Sequence, residues 1–407
     1  LQLELFPPPE IALEEVFEAY YDCRRNKRRT ASAAEFELDY ERNLIRLWQE
    51  INGGTYEPEA SVAFVVERPV KREVFAARFR DRVVHHLIVN KINHLLEREF
   101  ILDSYACRPG KGTHFGIRRV QRFIRRCSAG SSRDAYILKL DIRGFFMSID
   151  RELLFRRLTQ FLRQRYSEPD NESVLELCRK TILHDPTSNC RIRGAREAWN
   201  GLPPDKSLFY TAPGCGLPIG NLTSQVFANF YLNCFDHFVK HTLSQHYYGR
   251  YVDDFVIVHE SRDALKQLLP RLRRYLRDEL ALTLHPDKVY LQHVRHGVPF
   301  LGARIGAQRI TAGSRLKANF HAAVSRHNRI SENAPPTHQE REHLRASINS
   351  YLGILKQFAT YRFRKRTLLR LNGWWRRRFR VDHRCEKVVR RRKTSQAKTT
   401  TRSGSST

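Results

Sequence analysis

The sequence predicts an α+β fold in which helical patterns at both ends flank a middle region of short strands. Three observations predict it. The stretch Gly249-Arg-Tyr-Val-Asp-Asp-Phe-Val-Ile-Val-His259 sets two adjacent acids between apolar, β-branched runs. That reads as two strands meeting at a tight turn, with carboxylates at its tip. The stretch Ala135-Tyr-Ile-Leu-Lys-Leu-Asp141 is an apolar strand ending in one carboxylate, followed by a glycine, two aromatics and a helix after Asp150. Around these, apolar residues recur at helical spacing, as in Ile11 to Tyr21, Ala33 to Ile51 and Asp263 to Leu280.

The chain has 407 residues, enough for two or three domains with substantial cores. Its formal net charge is +29, which points to a polyanionic partner, nucleic acid first and an anionic membrane surface second. No apolar run approaches the roughly 18 residues of a spanning helix. The acidic, proline-rich start does not read as a signal peptide, so the expected location is the cytoplasm. Eight cysteines stand scattered, none as Cys-x-x-Cys. That pattern argues against a zinc knuckle or a disulfide framework, and they read as buried small apolar residues. His85-His86 lies in a helical pattern and reads as packing rather than metal ligation.

In chain order, the first 60 residues give two helices, one of them Ala33 to Ile51, stopped by Asn52-Gly53-Gly54. The basic turn Arg24 to Arg29 between them suits a nucleic acid or a partner, while the helices suit a packing extension. Ala60 to Arg68 alternates as a strand. Lys71 to His86 leads into a long helix ending near Phe100, with Asp81 and Arg82 read as a structural ion pair. Ser104 to Thr113 is a loop rich in glycine and basic residues before a helix from His114 to Arg126. Its glycines let backbone N–H groups approach phosphate. The arginines of that helix, Arg118 and Arg122 among them, suit either a solvated face or a backbone-binding face. Residues 165–212 read as an insertion between two motifs. Pro213 to Gln225 places glycines and prolines before a helix N-terminus, an anion-friendly corner. Leu344 to Gln357 reads as a helix. Between Tyr361 and Lys393 fifteen Lys or Arg stand against two acids, interleaved with Tyr361, Phe363, Trp374, Trp375 and Phe379. That mixture suits a nucleic-acid duplex or structured RNA. The Ser/Thr-rich end, 394–407, reads as disordered.

Adjacent carboxylates repel, so a buried hairpin keeps Asp253-Asp254 mainly when cations sit between them. A solvated Asp-Asp turn is the ordinary alternative, and Asp141 is what weighs against it. Three such acids are the minimum that holds two Mg²⁺ ions able to activate a 3′-hydroxyl and stabilise a leaving pyrophosphate.

Tyr251-Val-Asp-Asp254 resembles the most diagnostic motif of the reverse transcriptases, and Asp141 with Phe146 five residues later resembles the motif before it. The resemblance implies a right-hand polymerase. It assigns 1–60 to an N-terminal helical extension, 61–135 to fingers, 136–306 to a palm and 307–393 to a basic helical thumb. It implies RNA-templated DNA synthesis with Asp141, Asp253 and Asp254 as catalytic Mg²⁺ ligands (Mn²⁺ being an alternative ion) and the Ile142 carbonyl as a further ligand. Arg72, Phe146, Ile219, Gly220, Gln225 and Lys288 take the nucleotide side. Arg108, Lys111, Arg118, Arg122, Tyr251, Arg364, Arg376 and Arg377 take the nucleic-acid side. Phe146 would exclude a 2′-hydroxyl, although one of Phe145 and Phe146 is expected in the core.

Ile219-Gly-Asn-Leu-Thr-Ser-Gln225 stands where most reverse transcriptases begin with glutamine. It resembles the enzymes of diversity-generating retroelements, bacterial, archaeal or phage-encoded, in which this departure accompanies error-prone copying of template adenines. Arg78 to His86 and Asp103 to Cys107 resemble that family too. The resemblance implies template RNA, an RNA/DNA duplex and dNTPs as partners. It also implies a small basic accessory protein, commonly a pentamer. The alternatives are a group II intron-like or retron-like enzyme, or an inactive RNA-binding protein on the same scaffold.

Overall fold

The computed structural model of the chain describes residues 11–25, 30–67 and 70–391. Expectations placed on residues 26–29, on Arg68 and on the 394–407 tail lie outside the described residues. The chain divides into two compact units, Leu1–His296 and Gly297–Thr407.

The first unit opens with α1 (Leu13–Arg24), α2 (Ala31–Glu37) and α3 (Tyr40–Asn52). The single helix expected from Ala33 to Ile51 is two. The Asn43 amide donates to the Phe36 carbonyl at 3.0 Å, satisfying the end of α2, and the chain turns at Leu38 and Asp39. Apolar spacing alone does not show such a break. α3 stops at Gly53, as the glycine pair predicts.

Next come β1 (Ser61–Val66), β2 (Arg72–Ala76) and α4 (Phe79–Glu99). Residues 72–76 were expected to lead into the helix, but they form a strand antiparallel to β1. Its period-two pattern is disguised because one inward side chain is an acid. Glu73 is buried and accepts hydrogen bonds from Trp199 Nε1 (2.6 Å), Ser207 Oγ (2.7 Å) and Leu208 N (2.7 Å). Asp81 is buried too, but its cationic partner is Arg80 at 3.2 Å rather than Arg82.

α5 (Thr113–Cys127), β3 (Tyr136–Asp141), the short α6 (Phe145–Ser148) and α7 (Arg151–Arg165) follow. The Asp150 carboxylate accepts from Leu153 N at 2.8 Å, which starts α7 where the sequence predicts. Residues 165–212 are woven into this unit. α8 (Asn171–Leu183) packs on α7, and β4 (Cys190–Ile192) pairs in parallel with β1 to complete a sheet in the order β2-β1-β4.

α9 (Leu222–Tyr231) and α10 (Asn233–His237) lead to the hairpin β5 (Tyr248–Tyr251) and β6 (Asp254–His259). α11 (Arg262–Leu280) and β7 (Tyr290–His293) complete the unit. The central sheet runs β5-β6-β3-β7, all antiparallel. Leu138, Leu140, Phe255 and Ile257 share one core with the leucines of α11. Because strand residues alternate in direction, Lys139, Asp141 and Asp254 belong to the opposite face.

The second unit begins with a meander, β8 (Val298–Phe300), β9 (Ala303–Ile305) and β10 (Ile310–Ala312). The first two strands, read from the sequence as part of the preceding domain, fall in this unit. α12 (Ser314–Asn333), α13 (His338–Leu355), α14 (Tyr361–Leu368) and α15 (Gly373–Arg378) follow, with the hairpin β11 (Phe379–Val381) and β12 (Val388–Arg390). α13 starts earlier than Leu344, at a reciprocal cap between Thr337 and Glu340. Trp375 and Phe379 are core here, and Trp375 Nε1 donates to the His327 carbonyl at 2.9 Å.

All eight cysteines are free thiols. Cys23, Cys127, Cys178 and Cys385 are buried as expected, whereas Cys190, Cys215 and Cys234 are half-buried and Cys107 is exposed. His85 is buried, and burial pushes its pKa down to about 3, in keeping with a packing role. No helix among the described residues is long and apolar enough to cross a membrane.

Candidate active site

The site is built on register. In the β3–β6 ladder Asp141 is the direct partner of Asp254, and in the β5–β6 hairpin Tyr251 is the partner of Asp254. Directly opposed residues project to the same face with Cα atoms roughly 4.5–5.5 Å apart. Asp141 and Asp254, more than a hundred residues apart in sequence, therefore rise side by side. Asp253 occupies the two-residue turn with Val252. Val252 has φ 56°, in the left-handed region that a β-branched residue seldom adopts.

Two contacts hold this strained turn. Ile142 N donates to the Asp253 carbonyl at 3.3 Å, and Arg250 Nη1 donates to the Val252 carbonyl at 3.0 Å. Arg250 is fully buried and forms a two-pronged pair with buried Asp236, at 2.7 and 2.6 Å. Tyr248 OH donates to the same carboxylate at 2.6 Å. Sequence reading missed Arg250 and Asp236 as positioning residues. Their one visible trace is an arginine inside an otherwise apolar strand.

Negative charge at the site is unbalanced. Burial, and then the nearby carboxylates of Asp141 and Asp254, push Asp253 up to about 7. Burial also raises Asp254. Lys288 Nζ donates to Asp141 Oδ1 at 2.6 Å. Lys139 Nζ is ion-paired with Asp254 Oδ1 at 3.1 Å, and that buried oxygen accepts no well-formed hydrogen bond. Among the described residues no three His, Cys, Asp or Glu side chains are drawn together as a ready cation cage. A buried carboxylate oxygen without a well-formed hydrogen bond, beside a carboxyl that resists ionisation, fits a hard divalent cation all the same. Mg²⁺ takes few protein carboxylates and completes its shell with water and substrate phosphate. Asp141, Asp253 and Asp254 are the residues that would hold it.

Phe146 is half-buried and Phe145 is buried, their rings 5.5 Å apart and T-shaped. The expectation that one of the pair is core holds for Phe145. Phe146 and Ile219 pack beside one small cluster containing Ala63, Phe75, Met147 and Leu208. The Ile219 carbonyl accepts from Phe75 N at 3.0 Å, and Asn221 Oδ1 accepts from Ala77 N at 3.2 Å. Gly220 has φ +122°, and a Cβ there would lie 2.7 Å from Val74 Cγ1. Only glycine lets this corner close on β2. Arg72 is exposed on the same β2 face as Val74. Gln225 is exposed and accepts from Cys107 Sγ at 2.9 Å.

Several basic residues have other work. Arg108 is largely enclosed, held by Glu97 (2.9 Å) and the Ile101 and Ser104 carbonyls, and stacks on Phe100. Lys111 Nζ donates to the Leu102 carbonyl at 2.6 Å. These two order the 104–113 loop, whose start lies against the hairpin through Tyr105 N donating to the Arg250 carbonyl at 2.9 Å. In the second unit Arg364 is buried and donates to the Cys385 carbonyl at 2.7 Å. All three are expected at nucleic acid; each makes contacts within the protein, although Arg364 Nε has no hydrogen-bond partner. Charge pattern alone cannot separate an arginine that ties a loop from one that meets phosphate. Arg118, Arg122, Arg376 and Arg377 are exposed, as such contacts require. Tyr251 is half-buried beside Asp254.

The profile of the reverse transcriptase (RNA-dependent DNA polymerase) family matches residues 71–305. Protein YkfC of Escherichia coli (strain K12) is 25% identical over 310 residues, covering 68% of this chain and 74% of that protein. Telomerase from Candida albicans, solved in complex with the TWJ fragment of telomeric RNA, aligns with a TM-score of 0.45 at 12% identity, over 78% of this chain and 60% of that one. Apo telomerase from Candida tropicalis aligns with a TM-score of 0.47 at 11% identity, over 77% and 61%. The chain thus spans about three fifths of the telomerase chains it matches. With the family profile matched over more than half its length, this chain belongs to the reverse transcriptase family of RNA-dependent DNA polymerases.

Proposed function

We propose that this chain is the polymerase of a diversity-generating retroelement, making error-prone, adenine-mutagenic cDNA from a template-repeat RNA. One observation carries the subtype. Ile219, an apolar branched side chain, occupies the position beside Phe146 and Gly220 where the wider family resemblance implies an amide. Removing a hydrogen-bonding group beside the nascent pair loosens discrimination by geometry. Divalent cations held by the three aspartates would supply charge neutralisation and an activated 3′-hydroxyl. The protein's own part is positioning. The register aligns Asp141 with Asp254, Arg250 fixes the turn, Phe146 bounds the sugar, and Arg72 and Lys288 take phosphate charge. The exposed Arg118, Arg122, Arg376 and Arg377 follow the template RNA and the RNA/DNA duplex. A small basic accessory protein completes the assembly.

The test is to sequence cDNA made by wild type and by Ile219→Gln on one RNA. Errors opposite adenine should fall in the variant. An unchanged error spectrum would remove this account of Ile219 and, with it, the subtype.

A further inference from the structure

The outer face of α11 carries a cationic surface that the polymerase site does not use. The helix is amphipathic, burying Leu265, Leu268, Leu272, Leu276 and Leu280. Its acids are all paired, Asp263 with Lys266 (2.8 Å), Asp278 with Arg277 (2.7 Å) and Glu279 with Arg157 (3.5 Å). Arg262, Arg271, Arg273 and Arg274 are exposed and make no close ion pair among the described residues, although Arg262 acts on Asp263 and Arg274 on Asp278 at longer range. Arg271 and Arg274, and Arg273 and Arg277, sit three and four residues apart, so like charges crowd neighbouring turns. Such pairs destabilise an isolated helix. An excess of positive charge of this kind is favoured when an anion lies along it.

Two further observations identify that anion. The exposed large apolar side chains of the described residues include none on α11. A protein partner would be expected to find an apolar or aromatic anchor, and this face offers none. Its unpaired cations are all arginine, whose planar fork matches phosphate. Arg271, Arg273 and Arg274 fall within a single helical turn, a local concentration of positive charge that suits a phosphate backbone. The face also lies behind the catalytic one. α11 shares its core with Leu138, Leu140, Phe255 and Ile257, whereas Asp141 and Asp254 alternate to the other side of the sheet.

We propose that the outer face of α11 is a second RNA-binding surface that grips the phosphate backbone of folded RNA outside the primer–template duplex. It rests on the family's use of RNA and goes beyond the retroelement reading.

The experiment uses the full chain and two fluorescent probes, a primer-free RNA hairpin and a short RNA/DNA primer–template. The triple variant R271Q/R273Q/R274Q should bind the hairpin about tenfold more weakly or worse, and its salt slope should fall by about 2–3. Binding and extension of the primer–template should stay at wild-type levels, which also shows that the variant is folded. Replacing the same three residues by lysine should retain most hairpin affinity. Unchanged hairpin binding in the glutamine variant would overturn the proposal. Equal loss on both probes would overturn it by placing α11 in the primer–template channel. Competition by poly-glutamate as strong as by RNA would overturn it in favour of an acidic protein. Failure of wild type to extend any primer would instead count against polymerase activity, and the hairpin measurement would still stand.

Discussion

Asp141 and Asp254 are direct partners across the β3–β6 ladder, so two acids from distant parts of the chain share one face of one sheet. A slip of one residue in that ladder would turn one of them to the opposite face. What fixes the register is buried and apolar, with Leu140 facing Phe255 and Leu138 facing Ile257. The Asp253 turn depends on a different support.

That support is the Arg250–Asp236 pair. Removing one member leaves the other charged, buried and unpaired. Arg250→Met or Asp236→Asn alone should destabilise the protein by about 3–5 kcal/mol. The double variant should lose less than the sum of the two. Urea denaturation of the four proteins measures this, and strict additivity would show that the pair does not act as a unit.

The raised Asp253 gives stability a pH dependence with a definite sign. Its carboxyl sits near 7 when folded and about 4 when unfolded. Between those values the folded state holds a proton that the unfolded state has lost, so stability falls as pH rises through the window. In EDTA, Asp253→Asn should melt above wild type at pH 8, with the gap closing at pH 5. Mg²⁺ should raise the wild-type melting temperature more than the variant's. A wild type that melts as high as the variant at pH 8 without divalent ions would contradict this electrostatic account.

Gly220→Ala should lower the urea midpoint by the equivalent of about 1–3 kcal/mol, because φ +122° and the close Val74 methyl both oppose a Cβ. An unaffected midpoint would mean the corner relaxes away from β2.

The three acids and the hairpin were legible because their signal is local. β-branched runs flank the carboxylates, and strand alternation does the rest. The same logic predicted the α7 cap at Asp150 and the Gly53 stop. β2 was not legible, since its inward Glu73 breaks the apolar alternation and is satisfied by Trp199 and Ser207, more than a hundred residues away. The internal contacts of Arg108 and Arg364 were not legible for a related reason. Their partners are mostly backbone carbonyls, with Glu97 for Arg108 and Glu386 for Arg364, which no charge pattern singles out. The helix break at Leu38 depends on one Asn43 amide.

We propose that Asp141, Asp253 and Asp254 together carry nucleotidyl transfer. The most direct measurement is dNTP incorporation on poly-rA/oligo-dT with Mg²⁺ by wild type and by a variant carrying Asp253→Ala with Asp254→Ala. Wild type should incorporate, and the variant should fall by about a thousandfold or more. Equal incorporation by the two proteins would contradict the account.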